Sequence, residues 1–153
     1  PFFAGWGISF DVVDAYKNAA TALSACKKDQ NHYTFLVTES QEMVGPLNSN
    51  RSISYSLKPH AQTSSLAKSL GISPINLEKI ISLQKERSMY EFTSSDLVYF
   101  LEITPRSASR ILSKLSSADL AHPVRTINLN GTGRPLTVYE IDFSNIKEFW
   151  GSH

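Results

Sequence analysis

The stretch from Phe92 to Ile141, FTSSDLVYFLEITPRSASRILSKLSSADLAHPVRTINLNGTGRPLTVYEI, constrains the fold more than any other. Thr93 and Ser94 are N-cap types, and Asp96, Leu97, Phe100 and Leu101 follow at helical spacing. Glu102 and Ile103 read as a turn. Thr104 then caps a second helix that begins at Pro105, where a missing N–H costs nothing. Ala108, Ile111, Leu112 and Leu115 stand at i, i+3, i+4 and i+7, the stripe that has to face a core. The opposite face carries Arg106, Ser107, Ser109, Arg110, Ser113 and Lys114, with no acid among them. Hydroxyls and cations suit phosphates, and guanidinium forks suit guanine edges. This is the composition of a helix that sits in a major groove.

Beyond the second helix, Val124–Leu129 alternates towards Asn130-Gly131-Thr132-Gly133, and Leu136–Ile141 returns with Val138, Tyr139 and Ile141. Two β-type runs around a glycine-containing loop predict a hairpin, with Arg125 in its first strand and Arg134 beside its tip. Helix, turn, helix and basic hairpin in that order make a winged helix-turn-helix. The set expected to touch double-stranded DNA is Thr104, Arg106, Ser107, Ser109, Arg110, Ser113, Lys114, Arg125 and Arg134. The competing reading is a small α+β core in which these arginines are only solvated.

Charge helps to choose between them. The net charge of the 153 residues is only +1, which argues against a polyanion binder blind to sequence. Within residues 1–60 the acids Asp11, Asp14, Asp29, Glu39 and Glu42 balance the bases Lys17, Lys27, Lys28, Arg51 and Lys58. From Thr104 to Ser117 there are bases and no acids. A locally basic helix in a neutral chain favours specific recognition over coating. A hydrophobic fraction of 41% and a charged fraction of 19% are those of a soluble globular protein. No apolar run approaches the roughly 20 residues of a membrane span. The opening PFFAGWG is short and lacks a basic leader and an initiator Met, so we expect it is not a complete signal peptide and that the start is trimmed. The single cysteine, Cys26, excludes an internal disulfide and fits a reducing cytoplasm.

Before this stretch the pattern is α/β. ISFDVVDA (8–15) has the β-favouring Ile8, Phe10, Val12 and Val13 and predicts a strand. NAATALSACKK (18–28) predicts an Ala-rich helix with Ala19, Ala22, Leu23 and Cys26 on one face, and YTFLVT (33–38) a buried strand. Together they suggest a βαβ unit. Residues 40–50 read as a loop and Ile53–Leu57 as a third strand ending at Lys58-Pro59. Ser64–Leu70 predicts a helix closed by Gly71, and Ser73-Pro74 opens another that runs to about Arg87. LAKSLGISPINLEKII is itself a rival helix-turn-helix, with Asn76 and Lys79 as readers, but it carries Glu78 and no hairpin follows. Ser144–Trp150 reads as a short helix whose Ile146, Phe149 and Trp150 pack on the domain or on a second copy. The expected organisation is a small α/β, βαβ-like segment over 1–60, a linker and leading helices over 61–91, and the winged domain over 92–153. The fold class is α+β.

Residues 71–142 resemble the output domain of citrate/malate-type two-component response regulators. GISPINLEKI matches the leading helix, FTSSDLVYFLEITPRSASRILSKL the reading unit, and GRPLTVYEI the wing. That family's reading helix has paired arginines after a Ser/Thr-rich start, whereas Arg106 and Arg110 are one turn apart. FDVVDAYKNAATALSACKKDQNHYTFLVTE is similar to the second strand, second helix and third strand of a receiver, and ISYSLKPH to its fifth strand with the Lys-Pro pair. An unrelated βαβ unit gives the same pattern. Glu39 takes the place of the phosphoacceptor aspartate, so the resemblance implies a segment that phosphorylation does not switch. It also implies a sequence-specific transcription regulator. Because one winged domain supplies few base contacts, a homodimer is expected, formed through residues 1–60 or through the aromatic tail at Phe149 and Trp150.

Catalysis finds little support. His32, His60, His122 and His153 are scattered, and no HxxxH, CxxC or HExxH spacing provides a metal site. His122, before Pro123, is expected to pack at the junction of helix and hairpin, and Cys26 to be a small buried hydrophobe. Gly131-Thr132-Gly133 is too short for a phosphate-cradling loop. We expect no enzyme, no cofactor and no metal. The alternative of a different class is a protein-interaction module that uses the winged fold without reading DNA.

Overall fold

The computed structural model describes residues 3–28, 33–128 and 135–144, and the chain divides into two units, Pro1–Pro59 and His60–His153. Each unit mixes helices with its own sheet, so the chain is α+β.

The first unit runs β1 (Gly5–Gly7), α1 (Val12–Lys28), β2 (Phe35–Val37), β3 (Glu42–Gly45) and β4 (Ile53–Ser56). Its sheet has the order β1-β2-β3-β4; β1 and β2 are parallel, and β3 and β4 add antiparallel. The α1 face carrying Ala22 and Cys26 packs on Phe35, Val37 and Met43. The approach is close because β1 offers no side chains on that side. A Cβ at Gly5 would fall inside the backbone of Ala22 and Leu23, and one at Gly7 inside that of Ala15 and Ala19. Asn18, 4% exposed, ties the strand ends together. Its amide donates to the carbonyls of Ile8 (3.0 Å) and Thr38 (3.1 Å), while its oxygen accepts from the Gln41 Nε2 (2.8 Å). The Cys26 thiol donates to the Ala4 carbonyl at 2.9 Å.

Three expectations change here. The strand over 8–15 is instead two residues outside any element after β1, a bend at Phe10 and Asp11, and the first turn of α1. The cause is Asp11, whose Oδ1 accepts from the backbone N–H of Val13 (2.8 Å) and Asp14 (3.1 Å). This local cap satisfies donors at the helix start and overrides the β preference of Val12 and Val13. Second, the loop over 40–50 contains β3. A tight turn closes through Gln41 N–H to Thr38 O (3.1 Å) and Thr38 N–H to Glu42 O (2.9 Å), with Gln41 at φ 60°. Third, a receiver is a doubly wound parallel sheet, whereas the strand of ISYSLKPH runs antiparallel to its neighbour β3. The receiver's fifth strand is therefore not what this segment forms, and Glu39 stands exposed in a turn two residues past β2.

The second unit runs α2 (Ala61–Leu70), α3 (Pro74–Arg87), β5 (Glu91–Phe92), α4 (Ser94–Leu101), α5 (Pro105–Ser117), β6 (Ala121–Ile127) and β7 (Leu136–Ile141). Its antiparallel sheet has the order β5-β7-β6, with a register irregularity between Pro123 and Arg125 where proline has no N–H to give. Leu77, Ile80 and Leu83 of α3, Leu97 of α4, Leu115 of α5, Phe92, Ile141 and Phe143 are all fully buried. Gly71, at φ 64°, closes α2 in the left-handed conformation that glycine adopts without strain. The buried Gln84 amide donates to the Ile141 carbonyl at 2.8 Å, fastening α3 to the end of β7. The segment 61–91 is thus two helices and the start of β5 within this unit. The hairpin tip and the C-terminal helix expected over Ser144–Trp150 lie outside the described residues, apart from Ser144 itself. Among the described residues no helix is long and apolar enough to cross a membrane.

Candidate nucleic-acid interface

The orientation of α5 is set by two caps and one turn. Thr93 and Asp96 form a reciprocal capping box at α4: the Thr93 hydroxyl accepts from the Asp96 N–H (3.1 Å), and the Thr93 N–H donates to the Asp96 carboxylate (2.7 Å). Glu102 ends α4 in the left-handed region at φ 56°, its N–H on the Val98 carbonyl at 3.1 Å. Thr104 caps α5 by accepting from the Ser107 N–H (3.2 Å), and Pro105 occupies the first helical position. Thr93→Ala removes the hydroxyl half of the α4 box and is expected to lower stability by about 0.5–2 kcal/mol, read as a shift of the urea midpoint.

Ala108, Ile111, Leu112 and Leu115 bury one side of α5. The other side is therefore held outward. Arg106, Ser109, Arg110, Ser113 and Lys114 are all exposed there. Arg106, Arg110, Ser113 and Ser117 succeed one another at i, i+4, i+7 and i+11, so they form one outward stripe. Among the described residues neither arginine is engaged in an ion pair. A planar guanidinium on such a stripe can present two donors side by side to a single partner.

The other expected contacts are distributed differently. The Ser107 hydroxyl is bound to Thr104 (2.9 Å), so both serve the cap. The Lys114 ammonium reaches back to donate to the Gly71 carbonyl, and Arg125 is paired with Glu91 across the sheet. Arg134 lies outside the described residues. His122 does not pack at the junction: it stands exposed in β6, with Nδ1 3.7 Å from the Asp119 carboxylate. In the rival segment Lys79 is buried, and the buried Glu78 carboxylate accepts from the His60 N–H (3.3 Å), so α3 presents no Lys79 to a base edge.

Between α5 and β7 an open cleft of about 530 Å³ is lined by Ser94, Ser109, Ser113, Ser116, Thr137 and Tyr139, among others. The sequence reading missed the β7 wall. Its signal was there, since Thr137 and Tyr139 alternate with the buried Val138 and must share the face opposite to it. Among the described residues no three His, Cys, Asp or Glu side chains group as metal ligands.

No protein-family model matches this chain, and no curated protein matches it. Among solved structures it is similar to a possible transcriptional regulator from Methanosarcina mazei Go1, with 18% identity over 58% of this chain and 72% of that one, and a TM-score of 0.45.

Proposed function

We propose that the second unit is a winged helix-turn-helix that reads duplex DNA, with α5 in the major groove and the β6–β7 hairpin as the wing. The chain is then a sequence-specific transcription regulator of the cytoplasm rather than an enzyme, using no cofactor or metal. The observation that carries this reading is the outward stripe of α5, where Arg106 and Arg110 have no ion-pair partner among the described residues and the helix has no acid. Guanidinium groups one turn apart suit adjacent guanine O6/N7 edges, and the surrounding hydroxyls suit phosphates. A gel shift against genomic fragments in a salt series tests it. Preferred retention of some fragments, weakening as salt rises, is expected; equal retention of every fragment removes the sequence-specific claim.

One winged domain makes few base contacts, so two copies on two half-sites are expected. Light scattering should give twice the chain mass on operator DNA, and a monomer both free and bound would exclude the dimer. A second reading is a winged module that docks a protein partner. It is favoured by Lys114 and Arg125, which are both engaged within the fold and leave the cationic surface small. Absence of any DNA retention in the gel shift is the outcome that selects it.

A further inference from the structure

The hydroxyls of the α5–β7 cleft are of two kinds. That of Ser117 is used inside the helix, on the Ser113 carbonyl (2.9 Å). Those of Ser109, Ser113 and Ser116 have no partner among the described residues, and they lie at i, i+4 and i+7 along the edge of α5 that faces β7. Thr137 and Tyr139 face them from the strand, and Ser94 closes the end nearest α4. No charged side chain among the described residues lines the cleft. It is an open trough of neutral side chains lying directly beside the arginine stripe, with which it shares Ser113 and Ser117.

We infer that this cleft seats one sugar-phosphate strand of the duplex, the strand bordering the groove that α5 enters; this rests on the DNA-binding reading above. Serine, threonine and tyrosine hydroxyls donate to phosphate oxygens and so fix the register of a protein on DNA without reading sequence. The last carbonyls of α5 carry partial negative charge, which repels a phosphate from the Ser116 end. The seat is therefore Ser109 and Ser113, next to Arg110. A hydroxyl contact neutralises no phosphate and releases no counterion. This part of the affinity is accordingly insensitive to salt, whereas a cation that neutralises a phosphate contributes to the salt slope.

The test is a Ser109→Ala/Ser113→Ala variant of the full chain, measured on duplexes selected by the wild type and on duplexes whose phosphates have been ethylated one at a time. Both positions are exposed, and a thermal melt matching the wild type establishes that the fold is intact. Affinity is expected to fall roughly tenfold or more on every duplex alike, as loss of hydrogen bonds to a charged group implies. The order of sequence preference and the salt slope should stay as in the wild type. One or two ethylated phosphates that block the wild type should no longer discriminate against the variant. For comparison, Arg106→Ala should relax sequence preference at one position of the site, which the serine pair should leave unchanged. Ser113→Asp, which places a carboxylate in the seat, should weaken binding further than the alanine pair. An alanine variant that binds like the wild type, or one that loses sequence preference, overturns the seat while leaving the DNA reading in place. A wild type that binds no duplex overturns the reading itself.

Discussion

Replacing Arg106 and Arg110 together by alanine should cost roughly 2–6 kcal/mol of specific binding, at about 1–3 kcal/mol for each guanidinium that reads a base edge. The two sit one turn apart on the outward stripe of α5, so their effects are expected to couple and not simply to add. Neither supports the core, which is made by Ala108, Ile111, Leu112 and Leu115 on the far side, so the melting curve should not move. Each single variant should relax preference at one position of the site. Competition binding against singly substituted duplexes reads this directly. If the double variant keeps full affinity and the same preference, α5 is not the reading element.

The second large effect lies in the other unit. Gly7→Ala puts a methyl group where the backbone of Ala15 and Ala19 already stands, so α1 has to move away from β1. Overpacking usually costs about 1–3 kcal/mol, and a clash with backbone on both sides cannot be relieved by a rotamer change. A unit of this size holds roughly 3–9 kcal/mol in all, at about 0.05–0.15 kcal/mol per residue. The variant is therefore expected to lose the packing of α1 on Phe35, Val37 and Met43. The measurement is the methyl NMR spectrum, in which Val37 and Met43 should lose their native dispersion. Unchanged shifts for both would mean that α1 does not rest on the glycine face of β1.

What the sequence made legible follows from how local each signal is. Thr93, Thr104, Pro105 and the apolar stripe of α5 act within one or two helical turns, so helix, turn and helix could be read directly. The boundaries of α1 could not, because Val12 and Val13 favour strands and are exposed at 83% and 60%, against the expectation for apolar residues. A single carboxylate, Asp11, decides that segment. The strand β3 was hidden because its apolar pattern is short, with Met43 buried between Glu42 and Val44, and the turn before it depends on Gln41 in a left-handed conformation. The glycine face of β1 is legible only once α1 is known to cross it.

The site divides in the same way. Arg106 and Arg110 could be assigned to the outward face from helical period alone. The roles of Lys114 and Arg125 depend on Gly71 and Glu91, which are 43 and 34 positions away along the chain and meet them only in the folded unit. Cation counting overstated the charged surface for that reason. The resemblance of ISYSLKPH to a receiver's fifth strand failed at strand direction, which apolar runs do not encode: β4 reads as a strand whether its neighbour is parallel or antiparallel.

The most direct measurement is dimethyl sulfate protection of a selected duplex, because the reagent methylates guanine N7 in the major groove, the atom a guanidinium fork would cover. With the wild-type protein, one or two guanines per half-site should be protected, and the Arg106→Ala/Arg110→Ala protein at matched occupancy should leave them reactive. A bound duplex whose guanine N7 atoms all react as in free DNA would contradict the placement of α5 in the major groove.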